Sequence, residues 1–338
     1  MLLSVKDLFL REKLFVDLIV DCRLIEQGYF PEKAWETDIY ITRRCNISCS
    51  YCYINDYFPG SQIFKDPTLD KIKNIIEQLA GKTHCLVILG GEPLIRKDLP
   101  DILKYAKDKG IPSNRIASNG IFIKKQLEAL KYIDRLNISI DSTRIREYPH
   151  QIEQMMKDIV DVKNEILDDF PELCIGYTLT QDEKFERDIL PVVKYAIEND
   201  FDVKFLPCKY VDKILNWDQL RDVVEKCHNY ISDVNKLINI KGLVDKGNSE
   251  FLFNNCLQKI QYYIDFDGYF LYPCDEYPEN KVGKIFDHPI DELWNMGVKK
   301  FGMYPDKNSE VCMNCKSYCH AENSYNYQNP ERQFQKFS

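Results

Sequence analysis

The 338-residue chain has no uninterrupted apolar run long enough to cross a bilayer and no secretory signal pattern. It also lacks internal repeats, low-complexity tracts and any excess of basic charge: 45 Lys and Arg against 53 Asp and Glu give a formal charge of −8. The first two absences argue against a membrane-spanning or secreted protein. The shortage of basic charge argues against a large nucleic-acid footprint, which needs clustered Lys and Arg. Neither a nucleic acid nor a membrane is expected as a partner. What remains, with 44% hydrophobic and 29% charged residues, is the composition of a soluble enzyme able to bury a full-sized core. Without a secretory signal, the 13 cysteines point to a reducing, cytoplasmic compartment where thiols bind metal or do chemistry. Eight of the 13 fall into two groups.

The opening segment, residues 1–36, is broken by charges every few positions and reads as an amphipathic helix covering an apolar face. Beyond it, strand-like and helix-like stretches alternate. The strand candidates are "DIYIT", "HCLVILG", "NRIASNG", "RLNISID", "LCIGYTLT" and "DVKFLPC". Between them lie "TLDKIKNIIEQLAG", "DLPDILKYAKDKG", "IKKQLEALKYID", a stretch from about Gln151 to Asp168, and "ERDILPVVKYAIEND". Their apolar residues recur every three or four positions, as on helices with one buried face. The alternation predicts an α/β fold with a parallel sheet. Six units are too few for a closed eight-fold barrel, so a partial (β/α)6 TIM-like barrel is expected over residues 37–234. In such sheets working residues sit at the carboxyl ends of the strands. Residues 235–338, where the rhythm changes, form a second, cysteine-rich unit.

The first cysteine group is Cys45, Cys49 and Cys52, spaced C-x3-C-x2-C on a loop leaving the first strand. Three local thiolates can hold three irons of a 4Fe–4S cube and leave the fourth iron open to an exogenous ligand. A zinc site completed by a distant fourth ligand is the alternative. The stretch "CNISCSYC", with Tyr51 before the last cysteine, resembles the signature of the radical S-adenosylmethionine (SAM) superfamily. That resemblance implies a 4Fe–4S cluster chelating SAM. An electron from a flavodoxin or ferredoxin would cleave the sulfonium, and the resulting 5′-deoxyadenosyl radical would take a hydrogen atom from the substrate.

"LGGEPL" at the end of the second strand resembles the family's GGE motif, in which Gly90, Gly91 and Glu92 receive the methionyl ammonium. Glycines there allow close backbone approach; a plain strand-to-helix turn would use the same residues. Ser118 and Asn119 end the third strand, and Ser139 and Asp141 the fourth, where the family contacts SAM or its ribose. Ser139 and Asp141, two apart, would share one side of a strand. Polar turn formers at strand ends are the plainer reading. Cys208, at the tail of the sixth strand, is a candidate hydrogen donor to a substrate radical, or a buried small hydrophobe. Tyr177 and Thr180 are candidate pocket-lining residues.

The second group is Cys256, Cys274, Cys312, Cys315 and Cys319. Cys256 and Cys274 flank an expected hairpin, "YYIDFDGYFLYP", with an Asp-Gly turn. A short amphipathic helix is expected around Trp294. This region resembles the SPASM/Twitch extension behind many radical SAM domains. It has five cysteines where the larger version has seven, which implies one auxiliary 4Fe–4S cluster. Cys256, Cys274, Cys312 and Cys315 are the preferred ligands, with Cys319 able to replace one of the last two. A structural zinc is the alternative, and His320 is not expected to be a ligand.

The resemblance implies an enzyme that oxidatively modifies or cross-links a peptide. The alternatives are a radical SAM dehydrogenase or C–H functionalising enzyme for a small molecule, cofactor or lipid, and a non-catalytic iron–sulfur or zinc protein for sensing or electron transfer. The segment before residue 37 is too short for an added peptide-recognition domain, so leader binding is expected to need a separate protein.

Overall fold

The computed structural model describes residues 33–54, 65–167, 170–180, 183–208, 222–223, 225–227, 230, 237–238, 261–273 and 279–302. The expected N-terminal helix and all five cysteines of the second group lie outside these residues.

Six strands run in parallel and in sequence order: β1 (Glu36–Tyr40), β2 (Cys85–Leu89), β3 (Ser113–Ser118), β4 (Arg135–Ser139), β5 (Glu172–Leu179) and β6 (Asp202–Pro207). Each expected strand is present, shifted by two residues or fewer. The connections are helical. In α1 (Leu69–Leu79), Ile72, Ile75, Ile76 and Leu79 form the buried stripe, and the Thr68 hydroxyl caps the first turn by accepting from the Lys71 amide at 3.3 Å. α2 (Leu99–Asp108) buries Leu99, Ile102, Leu103 and Ala106 in the same way.

The stretch "IKKQLEALKYID" departs from its expected single helix. It forms a short 3-10 turn, Ile123–Lys125, and one α turn, α3 (Leu127–Leu130). The break falls at Gln126, whose buried side-chain amide donates to the carbonyls of Leu94 and Arg96 at 2.9 and 2.8 Å. After β4 come α4 (Ser142–Glu147) and α5 (Pro149–Ile166), and a π-helical turn, Phe185–Ile189, leads into α6 (Leu190–Glu198).

The sheet continues past both ends of this set. β7 (Leu237–Ile238) pairs with β6, while β8 (Gln261–Ile264) pairs in parallel with β1. β9 (Tyr269–Leu271) turns back on β8, and β10 (Lys281–Lys284) follows antiparallel to β9. The expected hairpin is thus present, and it extends the main sheet at the β1 edge. The expected helix around Trp294 is α7 (Ile290–Phe301).

Along β4, Leu136 and Ile138 are fully buried while Arg135, Asn137 and Ser139 are only half-buried. Ile138 and Met155 of α5 both crowd Gly120, so the buried side of β4 faces the helices. At the amino ends of the strands, charged and polar groups pair across the sheet. Arg135 meets Asp202 at 3.0 Å, Arg115 meets Glu36 at 3.4 Å, and Gln261 donates to Glu36 at 2.7 Å. The opposite, carboxyl end carries the cysteine loop.

The β8–β9 hairpin is locked to the start of that loop by Arg43. Its guanidinium lies 4.5 Å from the Phe266 ring centroid and 2.8 Å from the Asp267 carboxylate. Arg43 is buried whereas Asp267 is half exposed. Asp267→Asn takes the counter-ion from a buried cation, and a loss of about 1 kcal/mol is expected, discounted for solvent at Asp267. Urea midpoints at low and high salt test this: the loss should shrink with salt, and an unchanged midpoint would contradict it.

Candidate active site

The cysteine loop is seated before its first cysteine is reached. Pairing of β1 with β2 continues past both strands: Ile41 donates to Leu89, Gly91 to Thr42 at 2.8 Å, and Glu92 to Arg44 at 2.8 Å. Only glycine fits this approach. A Cβ on Gly91 would sit 2.3 Å from the Arg44 carbonyl oxygen, and one on Gly90, whose φ is +149°, would sit 2.5 Å from that of Thr42. The immediate partner of the two glycines is therefore the protein's own backbone. Asp66 fastens the same stretch from outside. It accepts from the Thr42 hydroxyl, the Arg43 amide and the Arg44 guanidinium at 2.9, 2.9 and 2.7 Å, and these bonds hold its carboxyl below the ordinary range against the opposing effect of burial.

Glu92 is fully buried. It accepts the Ser118 hydroxyl at 2.7 Å and the amides of Asn119 and Leu94 at 2.7 and 2.9 Å. Burial pushes its carboxyl up, and these donors oppose that push. A carboxylate has about four lone-pair sites, so three donors leave room for one more, such as an ammonium. Asn119 in turn reaches the loop, donating to Asn46 Oδ1 at 2.8 Å and lying 3.8 Å from Cys45 Sγ. The structure thus joins "GGE" and "SNG" to the cysteine loop.

A second group approaches from the β4 side. Asp141 caps α4, accepting from the Arg144 amide at 3.0 Å, and takes a short hydrogen bond from the Tyr51 hydroxyl. Arg144 lies over the Tyr51 ring, donates from Nε to Cys49 Sγ at 3.3 Å, and sits 3.7 Å from Asp141. Its Nη1 is buried without a hydrogen-bond partner. Glu147 and Tyr148 complete the grip. The Ser50 amide donates to Glu147 at 3.3 Å, while Tyr148 Oη accepts from the Ser48 amide at 2.7 Å and donates to the Ser48 carbonyl at 2.8 Å. Sequence reading missed Arg144, Glu147 and Tyr148. The available signal was positional, since all three lie within seven residues of Asp141, Arg144 and Glu147 on the helix that follows it and Tyr148 at that helix's end. Ser139 is half-buried on the side of β4 away from the helices.

Cys49 is buried, Cys52 half-buried and Cys45 exposed at its rim. Burial pushes the Cys49 thiol up, and the Arg144 charge opposes this. Enough protein surrounds the Cys45 sulfur for desolvation to push it up to about 11. Iron binding would displace those protons. Among the described residues, no three Cys, His, Asp or Glu side chains converge around one point as a single metal ion needs. A four-iron cube takes each thiolate at a separate corner. The sulfurs of Cys45 and Cys49 face N–H donors, and that chemistry fits an iron–sulfur cluster. Cys208 is buried and packs against Cys49 and Tyr51.

Glu183, past the end of β5, was also not anticipated. One oxygen accepts from the Ser142 hydroxyl, the other is buried without a partner, and burial pushes the carboxyl up to about 7. Tyr177 is fully buried, with its hydroxyl donating to the Asp188 carbonyl at 3.2 Å.

Two outcomes are expected. Gly91→Ala forces the Arg44 carbonyl away, costing roughly 1–3 kcal/mol and lowering iron uptake, to be measured by denaturation and iron assay. For Glu183, a carboxyl raised in the folded state adds stability below its unfolded pKa and loses it as pH climbs through about 7. Glu183→Gln should therefore gain on the parent between about pH 5 and about pH 8. A stability difference that does not move with pH would contradict this.

Residues 39–170 match the sequence model of the radical SAM superfamily. The GTP 3′,8-cyclase of Limosilactobacillus fermentum is 30% identical over 179 residues, which is 50% of this chain and 52% of that protein. The 7,8-dihydro-6-hydroxymethylpterin dimethyltransferase of Methanocaldococcus jannaschii is 28% identical over 172 residues, 48% of this chain and 33% of its own length. The chain thus spans about half or less of these two relatives. Among solved structures, Streptococcus suis SuiB bound to precursor peptide SuiA superposes with a TM-score of 0.66 at 17% identity, covering 88% of this chain and 72% of that one. The structure of anSMEcpe with bound AdoMet gives 0.60 at 17% identity, covering 89% and 96%. These two likenesses are of fold. The segment that matches the radical SAM superfamily, residues 39–170, contains the cysteine loop and its supports on β2 to β4.

Proposed function

We propose that the chain uses the cysteine loop to cleave SAM reductively and removes a hydrogen atom from a peptide, for oxidative modification or cross-linking. The observation that carries this reading is the seating of three cysteines at the carboxyl end of a parallel sheet, with N–H donors on two sulfurs and a buried carboxylate beside them. When bound, a 4Fe–4S cluster and SAM would supply one-electron cleavage of the sulfonium and a carbon-centred oxidant.

Cys45, Cys49 and Cys52 would hold three irons. Glu92, with Gly90 and Gly91 fixing its backbone, would take the methionyl ammonium at its remaining acceptor site. The orphan Nη1 of Arg144 would take a carboxylate. Ser118 and Asn119 orient Glu92, while Tyr51 and Asp141 orient Arg144. Ser139 would meet the ribose from the side of β4 that the helices leave uncovered. Cys208, beside Cys49, is the thiol placed to return a hydrogen atom where the outcome is redox-neutral. A flavodoxin or ferredoxin would supply the electron. Cys256, Cys274, Cys312, Cys315 and Cys319 would provide one auxiliary 4Fe–4S cluster.

SuiB, which shares the fold, binds a precursor peptide, and this supports a peptide substrate. The nucleotide-cyclase relatives support a second reading, a small-molecule substrate. Anaerobic reconstitution should yield roughly eight irons per chain and release 5′-deoxyadenosine from SAM under a strong reductant. Deuterium transfer into 5′-deoxyadenosine from labelled peptide or labelled nucleotide separates the two substrate classes. Cys49→Ala should abolish SAM cleavage. Cys274→Ala should lose about half the iron, retain SAM cleavage and stop substrate turnover; full turnover would remove the auxiliary cluster from the mechanism. A fully loaded, reduced protein that never cleaves SAM would sink the enzyme reading.

A further inference from the structure

We propose that Arg144 is a redox-positioning residue: its Nε–H bond to the Cys49 sulfur raises the reduction potential of the cluster held by the loop. This inference rests on the iron–sulfur reading of Cys45, Cys49 and Cys52.

The geometry is unlike that of an arginine serving its carboxylate. A guanidinium free to pair with Asp141 alone would present two N–H groups in a fork, at hydrogen-bond length. Instead the shortest Arg144–Asp141 side-chain separation is 3.7 Å, and Nε points to Cys49 Sγ at 3.3 Å. Both ends of the residue are fixed for that contact. Its backbone amide is bound by Asp141 Oδ1 at 3.0 Å, and its guanidinium lies 5.5 Å from the centroid of the Tyr51 ring, whose hydroxyl is held by the same carboxylate. The side chain is 15% exposed and Asp141 is fully buried, so water screens this charge poorly. At Cys45 the donors are neutral, Asn119 Nδ2 at the longer distance of 3.8 Å and the Ile47 amide.

Reduction adds one electron, and so one negative charge, to the cluster; the reductant of the proposed reaction provides it, and Arg144 neither gains nor loses a proton. An N–H donor withdraws electron density from a thiolate ligand, and hydrogen bonds to the sulfurs are among the factors that set iron–sulfur potentials. A fixed cation in a poorly hydrated site stabilises the more negative, reduced state. The same site buries Glu92 and Asp141, whose charges act in the opposite sense. Arg144 is the cation that offsets them at the sulfur.

The experiment compares the parent, Arg144→Met and Arg144→Lys after anaerobic reconstitution, with iron content measured first and the midpoint potential then taken without SAM by EPR-monitored titration. Arg144→Met should make reduction at least tenfold less favourable, a shift of about 59 mV to more negative potential for one electron. Arg144→Lys, which keeps charge but loses the planar donor, should fall between. Equal potentials in loaded parent and Met variant would overturn the role while leaving the cluster reading intact. A parent that carries no iron–sulfur cluster would overturn both. Should the Met variant fail to load, the parent labelled with guanidino-15N arginine carries the test. A 15N hyperfine coupling to the reduced cluster supports the bond to Cys49, and its absence refutes it.

Discussion

The site depends on a backbone contact that no side chain could make. Residues 41–44 leave β1 and run on beside residues 89–92, so one ladder of three main-chain hydrogen bonds carries the sheet to the first cysteine. A ladder of this kind fixes direction as well as distance. Cys45 therefore leaves a defined point at the carboxyl end of the sheet, and Glu92 arrives beside it by the same pairing. Arg96 reinforces the arrangement from below, its buried guanidinium donating to the carbonyls of Ile41 and Pro67 at 2.7 and 2.8 Å. Two carbonyls, one just past β1 and one just before α1, are thus satisfied by one planar donor.

Around this frame the chain buries charge, which is costly unless opposite charges and hydrogen bonds meet it. Glu92 meets three donors. Asp141 meets the Tyr51 hydroxyl and the amino end of α4. Arg144 is disfavoured by burial but held protonated by Tyr51, Asp141 and Cys49. These groups form two chains of contacts, Glu92–Asn119–Cys45 and Asp141–Arg144–Cys49, which converge on the loop from neighbouring strand ends. Packing that is this directional leaves the loop few alternative shapes, which is what a ligand set for a cube requires.

Much of this was legible in the sequence, for identifiable reasons. The six parallel strands show in short apolar stretches that alternate with the helices, and the helices in three- and four-residue periodicity. Cys45, Cys49 and Cys52 announce themselves by spacing. The role of Gly90 and Gly91 was legible only in kind: close approach is what glycine permits, but pattern alone does not say to what. Gln126 broke an expected helix because its amide serves the turn after β2, a long-range demand that local propensity does not register. Arg144, Glu147 and Tyr148 stayed hidden for a similar reason. An arginine and a glutamate on a helix surface and a tyrosine at its end are ordinary, and they acquire meaning only when α4 is seen lying against a loop 95 residues upstream.

The hairpin ties residues 261–271 to the strand that leads into the cysteine loop. β8 pairs with β1 rather than standing apart, and Arg43, two residues before Cys45, binds both Phe266 and Asp267 at its turn. Asp265 organises that turn by accepting the amides of Asp267 and Tyr269, each at 2.9 Å. The strand that leads toward the second cysteine group is therefore in register with the strand that leads into the first. A displacement of the hairpin would have to break the β1–β8 ladder or pull a buried guanidinium from its ring and carboxylate. Both routes pass through residues 36–43, the segment that also positions Cys45. The β8–β9 hairpin is therefore tied to the cysteine loop through main-chain pairing and one buried cation.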